Sequence, residues 1–123
     1  MENYTTFTFE EFDNLCTNNL TLNLDLNTQR STFRRVLNIN NTELIVPFSQ
    51  NSSVQLNFIS LFQIYSLTIE NNGIYNKQIC LQILPNQTRN HGCIVHIVGM
   101  IFVRIRIMEV VDSRNYRIVR GNN

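Results

Sequence analysis

The longest apolar stretch of the chain covers residues 92–112, GCIVHIVGMIFVRIRIMEVVD. From residue 101 onward its side chains alternate between two sets, one with Ile101, Val103, Ile105, Ile107 and Val111, the other with Phe102, Arg104, Arg106, Met108 and Asp112. Alternation is typical of a strand, because successive side chains point to opposite faces. Before Gly99 the residues are apolar on both faces apart from His96, which predicts cover on both sides. We therefore predict that this stretch is the central strand of the fold, with Ile101, Val103, Ile105 and Ile107 on the core face.

A short helix is predicted near the N-terminus. Thr8 and Glu11 have the spacing of a capping box, in which each side chain bonds the backbone of the other residue. Phe9, Phe12 and Cys16 would then share one helix face. This is the only helix that the pattern clearly favours.

Three further strands are expected before residue 49. Every second residue from 20 to 26 is leucine with polar residues between, which indicates a strand with one wet face. A second strand is predicted over residues 32–39. A third is predicted over residues 43–48, where Pro47 marks an edge or an end, and it is therefore expected at the periphery of a sheet.

Residues 54–70 change phase, since the apolar positions are even up to Phe58 and odd from Ile59. One flat strand cannot bury both sets on one face, so we predict a bulge or bend between Phe58 and Gln63. A helical stripe of Phe58, Leu61, Phe62 and Tyr65 is the open alternative.

The pair Asn72-Gly73 predicts a two-residue type I′ hairpin turn, because both residues tolerate positive φ. The returning strand would cover residues 74–84, and residues 85–92 would form a loop. A last turn at residues 112–115 would return residues 116–120 alongside the central strand.

These elements amount to about eight short strands with turns between them, which favours an all-β, antiparallel β-sandwich of which the jelly roll is one form. We expect one domain over residues 1–123, with the short helix in the acidic segment 1–19 and a frayed tail at residues 121–123. Composition agrees, because Asn is abundant and Ala, the best helix former, is absent.

Charge and cysteine content bear on location and partners. The net charge is +1, and every basic residue follows the acidic first 29 residues. Three cysteines and an N-terminus without the regions of a signal peptide predict free thiols in an intracellular, reducing compartment. No apolar run reaches the ~20 residues of a membrane helix, so no membrane span is expected.

The sequence contains one set of residues that could bind a metal and no recognised catalytic motif. His91, Cys93 and His96, with Cys80 as a fourth ligand, are the best zinc candidates, but in a strand Cys93 and His96 would point to opposite faces. The chain has no GxSxG and no phosphate-binding glycine loop. We therefore expect no enzyme activity, no metal and no cofactor.

The remaining candidate site is a cationic strip near the C-terminus. It would bind nucleic acid or another anion and comprises Arg34, Arg35, Arg104, Arg106, Arg114, Tyr116, Arg117 and Arg120. Tyr116 would offer a ring on which a base stacks. The alternative is an ordinary solvated sheet face, since Glu109 and Asp112 interrupt the strip.

Three functions follow as hypotheses. The first is a non-enzymatic β-sandwich that acts by self-assembly or by binding a protein, such as a small viral structural or accessory protein, for which the single Lys among ten basic residues is one argument. The second is a single-stranded nucleic-acid-binding protein that uses the arginines. The third is a sugar-binding protein that uses the abundant Asn side chains.

Overall fold

A computed structural model describes residues 6–28, 34–49 and 51–119. Within them the protein is mixed α/β, with five helices and six short strands. In chain order these are α1 (Phe9–Asn19), β1 (Asn38–Ile39), β2 (Glu43–Pro47), β3 (Ser53–Asn57), α2 (Phe58–Glu70), β4 (Ile74–Tyr75), α3 (Lys77–Ile83), α4 (Pro85–Asn90), α5 (Ile94–Arg104), β5 (Met108–Val110) and β6 (Tyr116–Ile118). The predicted all-β sandwich, and with it the jelly roll, is wrong.

The strands form two small antiparallel sheets, with orders β1-β2-β3 and β4-β6-β5. In the first sheet Leu44 lies opposite Leu56, and both are buried. The strand predicted over residues 43–48 is thus present as β2, but it lies in the middle of its sheet. Its peripheral placement was wrong, because Pro47 falls at the last residue of the strand.

The predicted central strand is mainly helix α5. Eight of its eleven residues are buried, so the helix is apolar on nearly every side. A helix buried all round has no polar face to reveal its period, and an apolar run alone does not distinguish it from a buried strand. The alternating residues after Ile101 do not form one strand. The helix ends at Arg104, Arg106 takes a positive φ of 70° in the turn that follows, and β5 begins at Met108.

Residues 54–70 were also predicted as strand, and most of them form helix α2. The change of phase marks the end of β3 and the start of α2, with Asn57 capping the helix through a 2.7 Å bond from the Ser60 N–H to its side-chain oxygen. The predicted bulge is therefore wrong. The alternative helical stripe is confirmed, and three of its members, Phe58, Leu61 and Tyr65, are buried.

Asn72 and Gly73 have φ values of 57° and 78°, as a type I′ turn requires, and the Ile74 N–H donates to the Asn71 carbonyl. The turn ends helix α2, since the Gly73 N–H also donates to the Thr68 carbonyl in the manner of a Schellman cap. The turn prediction is thus confirmed, whereas the hairpin is wrong. The strand predicted over residues 74–84 shortens to β4 followed by α3, and the loop predicted over residues 85–92 contains α4.

The N-terminal helix is confirmed, because both bonds of the capping box between Thr8 and Glu11 form and Phe12 and Cys16 are buried. Residues 20–26 do not form a regular strand. Leu26 and Leu24 instead exchange single backbone bonds with Arg34 and Val36. The tail at residues 121–123 lies outside the described residues.

The buried apolar side chains form one cluster to which four of the five helices contribute, namely α1, α2, α3 and α5. Of the four residues predicted on the core face, Ile101, Ile105 and Ile107 are buried, whereas Val103 is only partly buried. Phe102 and Met108, assigned there to the opposite face, are buried as well. Phe102 belongs to helix α5, which is buried on nearly every side, and Met108 is the buried first residue of β5. A single strand with one wet face does not explain these positions.

Candidate functional site

The fold disperses the cationic strip that the sequence suggested. Arg104 ends α5, and its Nε donates to the Asp25 carbonyl oxygen at 2.8 Å. Arg35 is exposed and forms a β-bridge with the same Asp25. Arg106, also exposed, lies in the turn beyond the helix. Arg104 and Arg106 therefore do not share a strand face.

Arg117 forms an exposed ion pair with Glu109, with 2.6 Å between Nε and Oε1. The two residues lie directly opposite each other on β6 and β5. An exposed pair of this kind contributes only about 0–1 kcal/mol to stability, but it balances the charge of the arginine. Arg120 lies outside the described residues.

One strip residue, Arg114, lines a cleft of about 540 Å³, and a second, Tyr116, lies behind the lining residue His96. The cleft lies between the start of α3, the N-terminal part of α5 and the turn that joins β5 to β6. Its polar lining consists of Asn76, Lys77, Gln78, His96, Arg114 and Asn115. The volume lies within the usual range for small-ligand sites, about 300–1,000 Å³.

The charges that line this cleft are positive. Lys77 and Arg114 each carry one, and none of the lining residues is a carboxylate. Asp112 lies nearby and binds the backbone N–H groups of Arg114 and Asn115 at 2.8 and 2.9 Å. These bonds lower the pKa of Asp112, so its negative charge persists and partly offsets that of Arg114.

The cleft rim is held by amide side chains. Asn76 caps α3 by accepting from the Gln78 N–H at 3.0 Å. Its amide nitrogen also donates to the Asn115 side-chain oxygen at 3.2 Å. Asn115 in turn donates to the Asp112 carboxylate. The rim is therefore positioned before any ligand arrives.

His96 forms the inner wall, with its Nδ1 3.0 Å from the Tyr116 hydroxyl. Tyr116 is only 3% exposed and lies across Gly99, where any Cβ would collide with its ring. Burial raises the pKa of Tyr116 to about 12. The neighbouring Tyr75 hydroxyl donates to the Val95 carbonyl at 2.7 Å, which fixes the same face of α5.

Arg34 is buried, and its Nε has no hydrogen-bond partner among the described residues. Its charge lies close enough to Tyr116 to lower the pKa of that hydroxyl, in opposition to burial. A cation that is 9% exposed raises the local potential more than a solvated one, because little water screens it. It therefore adds to the positive potential near His96.

The residues considered for zinc lie in different surroundings. The Cys80 Sγ is 3.2 Å from the Thr88 hydroxyl, His91 stacks on Phe48, and His96 binds Tyr116. No group of three or more His, Cys, Asp or Glu within the described ranges can hold a metal ion.

Lys77 and Asn76 were missed as site residues, because no local motif marks them. Comparisons of the chain with protein-family models, with curated proteins and with solved structures found no match. Among the described helices, none has the length and apolar character needed to cross a bilayer. The geometry of the cleft is therefore what supports a function.

Proposed function

We propose that this is a non-enzymatic binding protein and that its cleft receives an anionic group, for which a phosphate ester is the best chemical fit. The observation that carries the proposal is the lining of Lys77, Arg114 and His96 without a carboxylate. Lys acts as a point charge toward phosphate, and Arg adds a planar fork of donors.

Binding suits the polar groups better than catalysis. The Tyr116 hydroxyl has a raised pKa and is held by His96, so it is a poor nucleophile near neutral pH. The Cys16 thiol is buried, and burial raises its pKa to about 12. Neither group has the lowered pKa that nucleophilic catalysis requires.

Phosphate esters occur in small molecules and in single-stranded nucleic acid. Base stacking on Tyr116 is not available, because that ring is buried. Contacts to nucleic acid would then rest on phosphate alone and would weaken steeply with salt.

The test is calorimetric titration with inorganic phosphate, adenosine monophosphate and a thymidine oligonucleotide, at about 50 and 200 mM salt. The double variant Lys77→Gln with Arg114→Gln should weaken binding by about tenfold or more. The control is Arg89→Gln, an exposed arginine at the end of α4 that is not among the cleft-lining residues. The proposal that the cleft binds an anion is refuted if no probe binds, or if the double variant binds as tightly as the parent.

Self-association is the second candidate function. β5 is an edge strand of its sheet. Val110, its last residue, and Val111, which follows it, are 55% and 46% exposed. An exposed edge presents unpaired backbone groups to another strand. Light scattering should then report a dimer or larger species that Val110→Lys dissociates, whereas a concentration-independent monomer would exclude it.

Location and source belong to this proposal as well. We place the protein in a reducing compartment, which agrees with three free cysteines. A viral origin would fit the scarcity of Lys, the abundance of amide side chains and the lack of catalytic motifs in the sequence.

A further inference from the structure

A second cleft, also of about 540 Å³, lies between the first sheet and α4. Five of its eleven lining residues are amides, against 19 Asn and 7 Gln in the 123 residues of the whole chain. The amides are therefore about twice as frequent here as elsewhere. This cleft shares no lining residue with the basic one.

Two of the amides belong to β3 and are held in place. The Gln55 amide nitrogen donates to the Glu43 carboxylate on the adjacent strand. The Asn57 side-chain oxygen accepts from the Ser60 N–H, which leaves its NH₂ group available. The sheet wall thus has fixed donors and acceptors.

The other three amides, Asn86, Gln87 and Asn90, belong to α4 and are exposed. Asn86 and Asn90 are four residues apart, so they lie on one side of the short helix. Within the described chain, no hydrogen bond engages any of these three side chains. Each has two donors and one acceptor oxygen to offer a ligand.

One end of the cleft is a ring surface. The Phe48 and His91 rings stack with centroids 4.1 Å apart. Small-molecule sites usually combine such apolar surface with a few convergent polar groups. Here the polar groups are numerous, and the one carboxylate among them, Glu43, is already bound to Gln55.

We propose that this second cleft binds a neutral polyhydroxylated ligand, that is, a carbohydrate. Each sugar hydroxyl both donates and accepts, as each amide does, so the two sets of groups can satisfy one another. The lining lacks the positive charges that an anion needs. A peptide would need deep apolar pockets for its anchors, whereas Val54 and Ile94 in this lining are already buried in the core.

The test is saturation-transfer NMR with glucose, galactose, mannose and N-acetylglucosamine, and with tetra-alanine as the peptide probe. At least one sugar should bind, and its addition should shift the side-chain NH₂ signals of Gln55 and Asn57. The double variant Asn86→Ala with Asn90→Ala should weaken binding by about tenfold or more, since each lost hydrogen bond is worth about 3- to 10-fold. Ala favours helix, so α4 should survive the change.

The matched control is Gln63→Ala with Gln82→Ala, which removes two exposed amides from other helices. It should bind the sugar as the parent does. The proposal is overturned if no sugar binds, if the α4 variant binds undiminished, or if tetra-alanine binds in place of the sugars. Because the clefts share no residue, the Lys77 and Arg114 variant should retain sugar binding whatever becomes of the anion proposal.

Discussion

Replacing Gly99 by Ala tests the packing of Tyr116 across helix α5, on which the basic cleft depends. A Cβ at residue 99 would lie 2.7 Å from Cε2 of Tyr116 and closer still to Cε1 and Cζ. The ring cannot move away freely, since its hydroxyl is bound to His96 and its centroid lies 5.7 Å from that of the Tyr75 ring. Overpacking of this kind costs about 1–3 kcal/mol.

Two further contributions determine the net change in the free energy of unfolding. Losing the bond between Tyr116 and His96 adds about 0.5–1.5 kcal/mol, whereas Ala gains about 1 kcal/mol over Gly inside a helix. Gly99→Ala should therefore lower the free energy of unfolding by about 0.5 to 3.5 kcal/mol. At a helical glycine with open space around it, replacement by Ala would instead raise the free energy of unfolding.

The assay is urea unfolding followed by far-UV circular dichroism. Gly92→Ala is the control, because nothing lies within 4 Å of a Cβ at that residue. The double variant Gly99→Ala with Tyr116→Leu should lose less stability than the two single variants together, since the smaller side chain makes room for the new methyl group. If Gly99→Ala stabilises the protein by about 1 kcal/mol, Tyr116 does not lie across the helix and the inner wall of the cleft is misplaced.

Three other outcomes are expected. Arg106→Gly should stabilise the protein by about 0.5–1 kcal/mol in the same urea assay, because Arg106 has a φ of 70° that glycine adopts without strain. A loss of stability in this variant would mean that the Arg106 side chain is needed for the fold. Burial raises the pKa of Tyr65, Tyr75 and Tyr116, so their neutral forms stabilise the fold below pH about 10 and this contribution is lost as the pH rises further. An absorbance titration should then show these three tyrosines ionising above pH 10 together with unfolding, whereas ordinary titration in the folded protein would contradict the burial. Ellman's reagent should modify the half-buried Cys93 first, with Cys16 and Cys80 protected until urea is added; early modification of Cys16 would be inconsistent with its buried position.

The N-terminal helix and the Asn72-Gly73 turn could be predicted from the sequence, because their signals are local. A capping box uses two side chains three residues apart, and a positive φ depends on the residue that adopts it. The return of β6 beside β5 after the turn at residues 112–115 could be predicted from the sequence for the same reason. These features depend little on the rest of the chain.

Of the basic cleft, the sequence suggested Arg114, Tyr116 and Arg34 as members of a strip, but for a surface that does not form. Tyr116 was expected to be exposed, and it is buried because Gly99, on a different element, leaves space for its ring. Lys77 belongs to no motif, and it lines the same cleft as Arg114 only because the start of α3 lies beside the turn after β5. Residues far apart in the chain thus form the cleft, and local patterns do not reveal such proximity.

The sequence alone determined where apolar segments lie and where turns interrupt them, and it identified Ile101, Ile105 and Ile107 as core positions. Only the tertiary structure decided whether residues 58–70 and 94–104 would be helix or strand. The physical reason is that a segment surrounded by protein needs apolar side chains on every side, so the periodicity that separates helix from strand disappears. Intrinsic propensity did not decide it either, since each β-branched residue in α5 loses only a few tenths of a kcal/mol as helix. Burying such a side chain returns about 1.5–3 kcal/mol, which is considerably more.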